Sequence, residues 1–252
     1  MTANVETFAA IYQRALDRKG GEAQLHALLG APKSSAELLS YSDADWLDAL
    51  TKKIFQSGFV WRVVENKWPG FREVFFDFVP EKMVLMSDEM LAAKATDPRI
   101  IRNASKVFTI RDNAQFMLDM ARQHGSFASM VANWPTHDII GLWALLKKHG
   151  QRLGGNTGPY ALRAMGKDTF LFSRDVEAYL RAYQIVEGSS IHGLSNLKRI
   201  QAQFNQWHEQ SGWSLQQLSR LIAFSCGDNH VGLSGTGFSG AGQPVSADEE
   251  MA

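Results

Sequence analysis

The sequence predicts an all-α protein, and three observations carry that expectation. Apolar residues recur at helical spacing along most of the chain. No stretch alternates Val, Ile or Thr with polar residues as a half-buried strand would. Glycine, proline, serine and aspartate fall between the periodic runs, where helices start and stop.

Residues 4–19 form an amphipathic pattern that ends at Gly20 and Gly21. Residues 22–29 give a short helix, stopped by Gly30 and Pro32. Ser42 suits an N-cap for a helix from about Asp43 to Ser57. The run beginning at Trp61 reads as a helix broken at Pro69-Gly70. Pro80 opens the next helix, and Ser87 and Asp88 cap another. Asp97-Pro98 marks a turn before a long helix from about Asn103 to His124. A further helix runs from about Asp138 to Lys148. Residues 153–160 form a glycine-rich loop, and 159–166 return to helix. Helices follow over 175–186, 195–209 and 214–226, with Trp207, Trp213 and Phe224 as their core. The sum is one all-α domain of ten or more helices over residues 1–231. It divides into an N-terminal extension 1–40, a core 41–190 and C-terminal helices 191–231. Residues 232–252 have the Gly/Ser composition of a flexible tail.

The 252 residues are 45% hydrophobic and 21% charged, which excludes a disordered chain, a collagen-like chain and a disulfide scaffold. The single cysteine, Cys226, forms no internal disulfide and builds no multi-cysteine zinc site. A reducing compartment is the simplest reading. No apolar run reaches the roughly 20 residues of a membrane span, and the N-terminus lacks the basic-then-apolar order of a secretory signal. Lys and Arg number 26, as do Asp and Glu. Because 232–252 holds Asp248, Glu249 and Glu250 and no Lys or Arg, the rest of the chain is +3. That argues against a protein coated in positive charge and leaves room for a basic face. His192, His208 and His230 read as surface or core residues rather than ligands.

Three segments carry chemistry. In residues 50–68, Gln56 is a polar residue among Phe55, Phe59 and Trp61. It is either the outward face of an amphipathic helix or the hydrogen-bonding amide of an aromatic slot for a planar heterocycle. In 91–118, Arg99, Arg102, Lys106 and Arg111 follow a helix, turn and helix. Arg102 and Lys106, four apart, share a helical face suited to solvent or to phosphates. In 145–176, helix, glycine-rich turn and helix make a helix-hairpin-helix pattern, flanked by Lys147, Lys148, Arg152, Arg163 and Lys167. Such a turn leaves backbone N–H groups at a helix N-terminus, an array that binds phosphate without reading base sequence.

Taken in order, these segments resemble the helix-hairpin-helix DNA glycosylase superfamily, and within it the DNA-3-methyladenine glycosylase I family. The resemblance covers roughly residues 40–185. The family's Gln-Ala-Gly-Leu-Ser-Trp is matched by Gln56-Ser57-Gly58-Phe59-Val60-Trp61. Its Phe-Asp-Pro, its Ile-Ile-Arg-x-x-x-Lys-Ile and its Asn-Ala are matched at Phe78 to Pro80, at Ile100 to Val107 and at Asn113-Ala114. Its hairpin Phe-Val-Gly-x-Thr-x-x-Tyr is matched from Leu153 to Tyr160.

The departures are specific. The family's base-contacting glutamate, three residues before that Gln, is Lys53 here. Its Tyr-His-Asp-x-Glu-Trp-Gly segment is not recognisable, although Tyr41 and Trp46 lie near its place. The family's two-Cys, two-His zinc site has no counterpart in a chain with one Cys, so neither metal nor cofactor is expected. The superfamily's aspartate after the hairpin falls by counting on Ser173, with Asp175 two residues on. Tyr160 stands where bifunctional members place a lysine, which argues against Schiff-base lyase chemistry.

The resemblance implies a monofunctional glycosylase, a cytoplasmic, nucleoid-associated monomer acting on damaged double-stranded DNA. It would flip an alkylated purine such as 3-methyladenine out of the stack and hydrolyse its glycosidic bond. Lys53, Phe55, Gln56, Phe59, Trp61, Tyr41 and Trp46 would form the base pocket. Arg102, Lys106, Gly154, Gly155, Asn156, Thr157, Gly158 and Tyr160 would hold the DNA backbone. A cationic base is attracted to an aromatic face, and its weak glycosidic bond needs mainly positioning. Asp175 is the candidate carboxylate for the sugar. The alternatives are a helix-hairpin-helix DNA-binding protein with a decayed pocket and an all-α protein with no nucleic acid partner.

Overall fold

The computed structural model describes residues 5–227. Among them are fourteen α-helices and no strand, as the periodicity predicts. In chain order they are α1 (Phe8–Lys19), α2 (Glu22–Leu29), α3 (Ser35–Leu39), α4 (Asp43–Gln56), α5 (Trp61–Val74), α6 (Pro80–Met83) and α7 (Asp88–Lys94). They continue with α8 (Ala104–His124), α9 (Phe127–Asn133), α10 (Ile139–His149), α11 (Thr157–Met165), α12 (Arg174–Ala182), α13 (Leu194–Ser211) and α14 (Leu215–Ser225). The tail expected over 232–252, and His230, lie outside the described residues.

Local chemistry sets the helix starts. Ser34, Ser42, Ser87, Asn103, Ser126, Ser173 and Ser214 each accept a hydrogen bond from the backbone N–H three residues on. This satisfies one of the orphan donors of a first helical turn. Ser34, Ser42 and Ser214 are reinforced by reciprocal capping boxes with Glu37, Asp45 and Gln217.

Three sequence expectations change. Helices α3 and α9 were not expected; at five and seven residues they are too short to show a period. Helix α5 is not broken at Pro69-Gly70. It continues to Val74 because one stripe (Val64, Trp68, Phe71 and Val74) is buried on both sides of the proline. Gly70 is there for space, since a Cβ would run into the carbonyl of Arg99. The helix expected over 175–186 ends at Ala182, and Gln184 turns to φ 57°.

The described residues divide into two units. One holds 5–33, Pro135–Leu142 and 166–227, and the other holds Ser34–Trp134 and Trp143–Met165. In the first, α1 packs on α14, and side chains close the helix ends. Arg14 and Arg18 donate to the carbonyls of Ser225 (3.0 Å) and Phe224 (3.1 Å) at the end of α14. Arg220 does the same for Leu29 at the end of α2 (2.7 Å). Asp168 accepts from the N–H groups of Leu215 and Gln216 at the start of α14. Cations thus meet helix C-termini and an anion meets an N-terminus, as the helix dipole favours. Trp207 and Phe224 are core, whereas Trp213 is half-buried against Phe8, Tyr12 and His26.

In the second unit α4 is central, packed by α5, α8, α9 and α11. Its buried face is Trp46, Leu47, Leu50, Ile54 and Phe55. Phe55 meets Phe71 edge-on at 4.6 Å, and Phe71, Trp68 and Phe78 continue as stacked rings. Among the described residues no helix is long and apolar enough to cross a membrane.

Candidate active site

All the base-pocket and hairpin candidates fall in the second unit. Helix α4 ends at Gln56, the backbone turns through Gly58 at φ 84°, and α5 begins at Trp61. Lys53 and Gln56 lie one turn apart on the last of α4. Trp61 and Glu65 lie one turn apart on the first of α5. The tight connection brings the two pairs together. Lys53 Nζ donates to Gln56 Oε1 at 2.8 Å, and Gln56 Nε2 donates to Glu65 Oε1 at 2.8 Å. Lys52 pairs with the other Glu65 oxygen at 3.0 Å. The Lys53 ammonium also lies over the Trp61 ring, 4.4 Å from its centroid.

Gln56 is buried with both ends of its amide bonded, whereas Trp61 is half-buried. Burial pulls the Lys53 ammonium down to about 8, with Glu65 opposing that shift and Lys52 adding to it.

The remaining pocket candidates separate by burial. Phe59 is half-buried and Tyr41 sets its edge on Trp46 at 6.2 Å. Phe55 and Trp46 have no exposed surface, being packed against Phe71 and Phe127. Both are core and present no face to a base, which corrects the sequence expectation for both.

Lys106 is corrected more sharply. Arg102 precedes α8, whose N-cap is Asn103, so the two cations share no helical face. Arg102 is exposed. Lys106 turns inward, 7% exposed, and donates to the carbonyls of Ile54 (2.7 Å) and Ser57 at the end of α4. Its ammonium sits 4.7 Å from the Phe59 ring centroid. It closes the C-terminus of α4, where a cation is favoured. Burial, with Arg152 nearby, pulls it down to about 8. Arg99 and Arg111 are likewise engaged, with Asp97 and Glu73 and with Asp88.

The hairpin forms from the end of α10, the turn 150–156 and α11. Leu153 is buried beneath the turn, and Gly150 and Gly158 leave it room: a Cβ on the first would meet its side chain, on the second its carbonyl. Gly155 adopts φ 59° with nothing within 4 Å of a built Cβ, so it points to open space. Thr157 and Tyr160 carry the first turn of α11 through backbone bonds to Gly154 and Asn156.

Asn113 matches the family's Asn-Ala pair, and the sequence assigns it no role. It is fully buried on α8 and makes a reciprocal pair with the hairpin. Its Nδ2 donates to the Gln151 carbonyl at 3.1 Å, and its Oδ1 accepts from the Gln151 N–H at 2.7 Å. Ser105 accepts from Arg152 at 3.1 Å. Glu65, which holds the amide of Gln56, was also missed. An acid one turn after a tryptophan was the available signal.

Asp175 lies in the first unit, in the first turn of α12, and Ser173 rather than Asp175 is the N-cap. It lines a cavity of about 350 Å³ with Arg14, Tyr179, Tyr183 and Cys226. Its carboxylate abuts Gly227, where a Cβ would collide with it. The Cys226 thiol is pushed up to about 11 by burial, with Asp175 adding to the shift.

The glycine-rich turn and the half-buried Trp61, with the Lys53 ammonium over its ring, belong to the same unit. The family model for methyladenine glycosylases matches residues 38–163, half of the chain. The chain belongs to that family. It is 28% identical to DNA-3-methyladenine glycosylase 1 of Escherichia coli (strain K12) over 109 residues, 39% of this chain. The match spans 58% of that relative's length. Among solved structures it is similar to a variant of 3-methyladenine DNA glycosylase I from Staphylococcus aureus, with 25% identity and a TM-score of 0.45 over 50% of this chain and 78% of that one. It is also similar to the 8-oxoguanine glycosylase/lyase of Methanocaldococcus jannaschii, solved with 8-oxoguanine DNA. There the identity is 14% and the TM-score 0.49 over 85% of this chain and 96% of that one.

Proposed function

We propose that this chain is a monofunctional DNA glycosylase of alkylation repair. It flips a damaged purine out of duplex DNA and hydrolyses its glycosidic bond. The observation that carries the reading is the α4–α5 corner, where Lys53 lies over the half-buried Trp61 and is held by Gln56, which Glu65 holds in turn. That corner shares a unit with the glycine-rich hairpin turn. The turn binds the phosphodiester backbone through its N–H groups and positions the duplex without reading its sequence. Flipping costs a few kcal/mol, least for a damaged base, and this favours lesions over normal pairs. The vacated nucleotide is then held on the tryptophan face.

Tyr160 in the hairpin helix supports hydrolysis without lyase chemistry at that position.

A second reading, a DNA-binding protein without excision, is favoured by Gln56, whose amide is bonded at both ends within the protein. Release of free base from duplexes bearing charged or uncharged purine lesions separates the two. The expected outcome is release by the wild type and none by Trp61→Ala, with duplex binding kept by both. No release from any damaged duplex, with salt-sensitive binding retained, would leave the second reading.

A further inference from the structure

We propose that Lys53 sets the lesion class: the site takes an uncharged purine lesion that presents hydrogen-bond acceptors along one edge, as ethenoadenine and hypoxanthine do. It discriminates against a cationic base such as 3-methyladenine. This inference rests on the reading of the Trp61 corner as the base pocket.

An aromatic face attracts a cation, so a tryptophan alone would favour a positively charged base. Here the protein has placed its own cation there, with Lys53 Nζ 4.4 Å from the Trp61 centroid. A second positive charge at that ring meets like-charge repulsion in a half-buried setting, where screening is weak.

The ammonium is held rather than adventitious. Gln56 Oε1 accepts from it at 2.8 Å, and Glu65 fixes the far end of that amide at 2.8 Å. Glu65 favours the charged lysine and Lys52 opposes it. An ammonium has three N–H donors and no acceptor, and Gln56 takes one of them. What the group offers a ligand is therefore donation, and its complement is a ring nitrogen or carbonyl oxygen.

The same donor addresses a chemical need. A neutral purine is a poorer leaving group than a cationic one. In the hydrolysis the C–N bond breaks with its electron pair passing to the base, water oxygen bonds to the sugar C1′, and a water proton ends on the base. The products are the free base and an abasic site. A hydrogen bond from Lys53 to the base edge stabilises negative charge as it develops there.

The test compares duplexes bearing a single ethenoadenine, hypoxanthine or 3-methyladenine, with wild type, Lys53→Met and Lys53→Glu. The wild type is expected to release the uncharged lesions about tenfold faster or more than 3-methyladenine, and Lys53→Glu to reverse the order. Equal or faster release of 3-methyladenine by the wild type, or an order unchanged in Lys53→Glu, overturns the inference.

Binding of N9-methylated bases, read by quenching of tryptophan fluorescence with Trp61→Ala as control, separates this inference from the enzyme reading. Tighter binding of 9-methylhypoxanthine than of the 3,9-dimethyladeninium cation, which keeps the charge of the lesion in DNA, supports it even if no duplex is cut, provided the preference is lost in Lys53→Glu. Tighter binding of the cation, or binding of neither probe, overturns it.

Discussion

Asn113 and Gln151 are 38 residues apart and form a two-way hydrogen-bonded pair, side chain to backbone, at 2.7 and 3.1 Å. The pair ties the hairpin turn to α8 with a group that has no exposed surface. Asn113→Ala would leave the Gln151 N–H and carbonyl without it. The expected loss is about 1–3 kcal/mol of stability, the cost of unpaired groups in a partly buried place. Duplex binding should weaken alongside. Denaturant unfolding and a binding titration check both, and retained stability with retained binding would show that the turn holds itself.

Lys106 makes a stability prediction with a pH sign. Its ammonium is pulled from the ordinary lysine range to about 8, so the folded state loses that proton before the unfolded chain does. Between about pH 8 and 10.5 the unfolded chain binds more protons, and stability from this group rises with pH; below 8 it contributes no slope. Wild type should therefore gain on Lys106→Met as pH increases through that window. Parallel stability curves would count against an inward-facing Lys106.

Gly155→Asp should fold at a modest cost in backbone strain. The position has φ 59°, which Asp tolerates better than most residues, and open space for its side chain. The added negative charge should weaken binding to damaged and undamaged duplexes alike and flatten the salt dependence. Unchanged affinity would reject the phosphate role of the turn.

If Lys53 donates to the base, excision should follow its titration. The ammonium donates below about pH 8 and is lost above it. Release of an uncharged lesion should fall as pH rises through that value, and the inflection should be missing in Lys53→Met. The charged groups acting on it are Glu65, which favours the ammonium, and Lys52, which opposes it. An inflection that persists in Lys53→Met would assign it to another group.

Helix positions, the hairpin and the family were legible in the chain because they rest on short-range chemistry. A serine or asparagine cap bonds three residues away, an apolar stripe repeats within one helix, and a glycine-rich turn is contiguous. From these the all-α class and the order of segments follow. Tertiary structure alone decided where the cations point. Lys106 meets Ile54 across 52 positions and turns inward, while Arg102, four residues before it, lies outside the helix and stays exposed. Phe55 and Trp46 look like pocket aromatics in sequence, yet they are core because Phe71 and Phe127 cover them. Lys53 reaches Trp61 only because α4 and α5 meet at a tight corner. Spacing along a helix sets which side chains share a face. What each face meets depends on segments far away in the chain, through burial and hydrogen bonds that no local pattern encodes.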